Sequence, residues 1–104
     1  MGGIGGKIIF KATGLTGSVT VSPAVGGKTT WTWATDGDLV LVIPGIEFTI
    51  SNNSGSNISP IVKLWGGGTS VGSHGGYTTG VLTINNATSV KAMVGGSPML
   101  NVAS

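Results

Sequence analysis

Apolar and polar side chains alternate with period two in short runs along most of this chain. In KIIFKAT, Ile8 and Phe10 fall on one face, with Lys7, Ile9 and Lys11 on the other. GSVTV puts Val19 and Val21 together. In TTWTWAT, Trp31 and Trp33 share a face and Thr30, Thr32 and Ala34 lie opposite. In IEFTIS, Ile46, Phe48 and Ile50 point one way, Glu47 and Thr49 the other. Each run predicts a strand with one buried face. DLVLVI, residues 38–43, is apolar throughout and predicts a strand covered on both faces.

Turn signals separate these runs. Pro44-Gly45 follows DLVLVI, SNNSGSN spans 51–57, and NNAT follows YTTGVLTI. ISPIVKLW is a further strand, with Pro60 marking a strand start or an edge. SVKAMV is another, and SPMLNVAS is a last strand or an arm. No window of a dozen residues keeps a helical apolar spacing, and glycine recurs too often for helices. The expectation is an all-β fold, a small antiparallel sandwich or jelly roll of eight to nine short strands. Aromatic burial dominates small cores, so Trp31 and Trp33 are expected inward. Turned outward, they would form a platform for stacking on sugars.

Length and composition narrow this further. The 104 residues suit one β-domain, with 1–6 a flexible glycine-rich arm and 97–104 a C-terminal arm or last strand. Only 8% of residues are charged, against roughly 25% in an average soluble domain. The acids are Asp36, Asp38 and Glu47, and the bases are Lys7, Lys11, Lys28, Lys63 and Lys91. Such a chain solubilises itself with Ser, Thr, Asn and Gly, or hides surface in an assembly. Arginine is absent, so bidentate contacts to phosphate or guanine are not available, and nucleic acid is not an expected partner. No apolar run is long enough to span a membrane, and MGGIGGKIIF does not read as a secretory signal. Without cysteine there is neither a disulfide nor a thiolate metal site.

Motifs for chemistry are sparse. VGGKTT resembles a phosphate loop only in part. Ser22 stands where its first glycine belongs, Pro23 lies inside it, and a strand follows where a helix is required. A hairpin turn at Gly26 and Gly27 is the better reading. GGIGG precedes a strand, unlike a dinucleotide fingerprint. His74 is the only histidine and has no partner nearby in sequence. Asp36 and Asp38 flank Gly37 in a turn signature too poor in oxygen ligands for calcium. Sequons at Asn52, Asn57 and Asn86 mean little without a secretory signal. No nucleophile–base or carboxylate pair stands out, so neither catalysis, a cofactor nor a metal is expected.

From Glu47 to Ser97 the order of features is distinctive. FTI and a polar turn lead to VKLWGGG. A glycine loop closes on GGYTTGVLTI, and a turn precedes VKAMVGG. This order resembles the glycine-rich β-domain of bacteriophage tail-fibre and other virion-surface proteins. The chain departs from that pattern in its shorter glycine loop and in INNAT where Pro-Gly is usual. The resemblance implies a subunit- or ligand-contact surface around Trp65, Gly66, Gly67, Gly68, His74, Gly76 and Tyr77. Glycine there lets backbones and aromatic rings approach closely.

These readings converge on a virion structural protein: a capsid decoration or cement protein, a minor capsid component or a fibre domain. It would be made in the host cytoplasm and carried on the particle surface. Its partners would be copies of itself, a trimer being one arrangement, together with capsid or tail proteins. A surface glycan is a further expected ligand. The alternative is a carbohydrate-binding module or adhesin that uses Trp31 and Trp33.

Overall fold

In a computed structural model, residues 6–14, 17–65, 77–94 and 99–103 are described, Tyr77 and 99–103 by their backbone alone. Among the described residues, nine strands and one helical turn follow in order: β1 Lys7–Lys11, β2 Ser18–Val25, β3 Lys28–Thr32, α1 Trp33–Asp36, β4 Leu39–Leu41, β5 Glu47–Ser51, β6 Ile61–Trp65, β7 Tyr77–Val81, β8 Ser89–Met93 and β9 Met99–Ala103. They form two antiparallel sheets packed as a sandwich. The front sheet has the order β4-β1-β6-β7 and the back sheet β3-β2-β5-β8-β9. Hairpins β2–β3, β6–β7 and β8–β9 stay within a sheet, and the other connections cross between sheets.

The alternation read from the sequence is realised in burial. Ile8, Phe10, Val19, Val21, Phe48 and Ile50 all point into one apolar cluster between the sheets. Their neighbours on the same strands, Lys7, Ile9, Lys11, Thr20 and Thr49, point out. The β2–β3 hairpin turns on Gly26 and Gly27, with φ of 60° and 81°, and Val25 pairs with Lys28. Two consecutive residues at positive φ match the right-handed strand twist, which is why glycine occupies both.

Two segments differ from expectation. TTWTWAT does not continue as a strand, since β3 ends at Thr32 and Trp33 opens α1. The Asp36 carboxylate explains the break. Its Oδ2 accepts the Thr32 N–H at 2.9 Å, and Gly37, at φ 75°, closes the turn by donating to the Trp33 carbonyl at 3.2 Å. Local side-chain bonding to the backbone outcompetes the sheet ladder there. Trp31 and Trp33 therefore do not share a strand face.

DLVLVI is not covered on both faces. Only Leu39–Leu41 is strand, and β4 is the edge of the front sheet. Leu39 and Leu41 are buried, whereas Val40 is 37% exposed and Val42 and Ile43 are each 53% exposed.

The loop 51–57 is built around one buried polar side chain. Asn52 is fully buried, and its Nδ2 donates to the carbonyls of Ser56 and Ile84, both at 2.8 Å. Its Oδ1 accepts from the Ser54 N–H at 3.0 Å. Every polar atom of the amide is thus matched, as a buried group requires.

Candidate functional site: the outer face of the front sheet

Residues opposite one another in an antiparallel ladder present their side chains on the same face. The registers therefore define the outer face of the front sheet row by row. Lys7 lies opposite Trp65, and Trp65 opposite Tyr77. In the next row Val40, Ile9, Lys63 and Thr79 stand side by side. In the third, Lys11, Ile61 and Val81 do so. Val81 is 69% exposed. The face is a chequer of lysines and aliphatic side chains, with one tryptophan.

The back sheet presents something else. There the outer rows are Thr30, Thr20, Ser51 and Ser89, then Ser22, Thr49 and Lys91. Hydroxyls cover that side, and Glu47 and Lys91 approach each other at 3.9 Å. One face of the sandwich suits water, and the other is apolar and cationic.

The ion pairs sharpen the contrast. Asp38 Oδ2 meets Lys11 Nζ at 3.4 Å, and Asp38 Oδ1 accepts the Ala12 N–H at 3.0 Å. Asp36 pairs with Lys28, and Glu47 with Lys91. The Lys28 ammonium and the Thr32 N–H hold the Asp36 carboxyl below the usual carboxylate range, against partial desolvation. Three acids thus take three of the five lysines. Among the described residues, the two lysines without a carboxylate in ion-pair range are Lys7 and Lys63, on adjacent strands of the front sheet. The formal net charge of +2 is therefore carried on this face. Lys7 Nζ lies 4.6 Å from the centroid of the Trp65 ring, a cation–π contact.

Of the residues expected to form a contact surface, Gly66, Gly67, Gly68, His74 and Gly76 lie outside the described residues. Trp65 ends β6 on the outer face, and the backbone of Tyr77, which begins β7, is its register partner. Trp31 and Trp33 do not make the stacking platform that the carbohydrate reading needs. Trp33 is buried at 4% exposure, its indole N–H donating to the Phe10 carbonyl at 3.3 Å. Trp31 is half-buried against the core and donates to the Gly37 carbonyl at 2.8 Å. The sequon asparagines Asn57 and Asn86 brace loops: Asn57 Oδ1 accepts the Asn86 N–H at 2.7 Å, and Asn86 Oδ1 accepts the Gly55 N–H at 3.0 Å.

Among the described residues, no three His, Asp or Glu side chains come together as a metal site would require. Nor is any described helix long and apolar enough to cross a membrane. The chequered face was not legible in the sequence. The signal lay in Lys7, Ile9 and Lys11 on one face and Ile61, Lys63 and Trp65 on another. Only the β1–β6 register joins them. Comparison with protein-family models, curated proteins and solved structures gives no match to this chain.

Proposed function

We propose that this chain is a structural component of a larger particle, of the virion-surface class: a capsid decoration, minor capsid or fibre subunit. Its work is assembly. The observation that carries this reading is the difference between the two outer faces. Ile9, Val40, Ile61 and Val81 are presented on the front sheet, while Ser and Thr cover the back. Apolar area set against a neighbour contributes roughly 25 cal/mol per Å². The unguarded β4 edge, with exposed Val40, Val42 and Ile43 beside it, adds to the surface suited to packing. The order of features from Glu47 to Ser97, which resembles virion-surface β-domains, supports the virion class.

The test is sedimentation. Material from the native source is fractionated by size, and the chain is followed by mass spectrometry. Recovery in particle-sized fractions is expected. An Ile61→Glu/Val81→Glu variant should fold but stay in the free pool, since both changes lie on the outer face. A wild-type chain found only as free monomer, in its source and at every concentration of the purified protein, would falsify the reading.

A further inference from the structure

We propose that the outer face of the front sheet docks on a carboxylate-bearing surface of a different protein, and not on a second copy of this chain. The inference rests on reading the chain as an assembly component, and it names the partner's chemistry. Its basis is charge complementarity. The whole net charge sits on this face, at Lys7 and Lys63, and every acid of the chain is already paired with a lysine of its own. Among the described residues, another copy offers only carboxylates that already lie beside a lysine of their own. Two such faces set against each other would gather Lys7 and Lys63 of both copies into one contact, and like charges in a desolvated contact oppose docking. The hydroxyl-covered back sheet is a poor complement, since it presents one acid, Glu47, with Lys91 3.9 Å away.

Other polyanions fit less well. A nucleic acid strand would want arginine forks and free aromatic faces. The chain has no arginine, and the Lys7 ammonium covers the Trp65 ring. An acidic polysaccharide could meet the lysines, yet it would leave Ile9, Ile61 and Val81 against water or charge. On β1 and β6, Ile9 and Ile61 alternate with the cations both along the strands and across the pair, and Val81 extends the apolar part beside Ile61. Lys7, Ile9 and Lys11 are successive same-face positions on β1, at steps of about 6.6 Å, and Lys63 stands beside Ile9 at about 4.8 Å. The matching surface carries carboxylates and aliphatic groups at a similar pitch. A protein surface with apolar centres and acidic neighbours has that form.

The experiment titrates isotopically labelled protein with three probes and follows its backbone amide resonances. The first probe is an extended peptide of the repeat Glu-Thr-Val-Thr, with Glu and Val alternating along one side. The second is a hyaluronate fragment and the third an oligothymidylate. The peptide is expected to move amides of Lys7–Lys11 and Ile61–Trp65, and to bind several-fold more weakly when salt is raised to about 0.15 M. The shifts should be lost in Lys7→Gln/Lys63→Gln and kept in Lys91→Gln, with the variants' own spectra reporting that both are folded. Four results overturn the proposal: no peptide-induced shift on this face, equal binding by the double variant, saturation by hyaluronate or oligothymidylate at lower concentration than by the peptide, or movement of the same amides on raising the protein concentration alone. Peptide binding by a chain that never enters particles would leave this inference standing and remove the particle reading. Particle entry without peptide binding would do the reverse.

Discussion

At the scale of single residues, the side chains that decide local structure here are short and polar. Asn52 braces the 51–57 loop through the Ser56 carbonyl and ties it to the isolated bridge residue Ile84, both at 2.8 Å. Replacing it with alanine removes both of these bonds and the acceptor of the Ser54 N–H, although the Ile58 N–H and the Ser54 hydroxyl still reach the Ile84 and Ser56 carbonyls, so Asn52→Ala is expected to lower stability by about 1–3 kcal/mol in urea unfolding. Asp36 acts through charge as well as geometry. Its carboxyl is held low by Lys28 and by the Thr32 N–H, so it ionises more readily folded than unfolded. A group depressed in the fold stabilises above its unfolded value, about 3.9, and that contribution fades as pH falls through the folded value. The stability difference between wild type and Asp36→Asn should therefore be flat above about pH 5 and shrink below about pH 4, measured by urea unfolding across pH. The same residue explains what the alternation around Trp31 and Trp33 concealed. Periodicity reports which positions are apolar. It does not report that a carboxylate four residues on will take the Thr32 N–H and turn Trp33 into a helical corner.

At the scale of elements, β4 tests how an apolar run should be read. Leu39 and Leu41 enter the core while Val40 stands on the open side, so consecutive apolar residues do different work. Leu41→Ala should cost about 2–5 kcal/mol, and Val40→Thr should stay within about 0.5 kcal/mol. Equilibrium denaturation of the two variants settles it; comparable losses would mean that both faces of β4 are covered. Most strands were legible because one of their faces is buried and the other wet, which period-two alternation reports faithfully. KIIFK and EFTIS are the clearest cases, with Ile8, Phe10, Phe48 and Ile50 all buried. LVL was legible as a strand but not as an edge, because edge and central strands have the same composition when the missing neighbour is a matter of topology.

At the scale of the whole molecule, the sequence's scarcity of charge acquires a direction. Few ionic groups could mean a uniformly neutral surface. Instead three ion pairs cancel locally and the surplus gathers on the outer face of the front sheet. That arrangement links the particle reading to the acidic-partner inference. Both predict loss of docking when the face is changed, by Ile61→Glu/Val81→Glu in one case and Lys7→Gln/Lys63→Gln in the other. The sandwich class could be reached from strand count and turn spacing. The sidedness could not, because it depends on Lys7 meeting Trp65 and Ile9 meeting Lys63 across the sheet, and residue order carries no register.

The placement of β1 has a consequence for how the molecule comes together. This strand has no hairpin partner; it lies between β4 and β6, both encoded well downstream. Among the described residues, its strand partners all lie about thirty or more positions downstream, so Ile8 and Phe10 are covered late. Closing those long loops is entropically demanding, so folding belongs to the milliseconds-to-seconds regime of non-local β topologies. During synthesis, β1 has no partner until Leu41 has left the ribosome and lacks its second until Trp65 has, and flanking lysines of this kind discourage premature pairing between nascent chains.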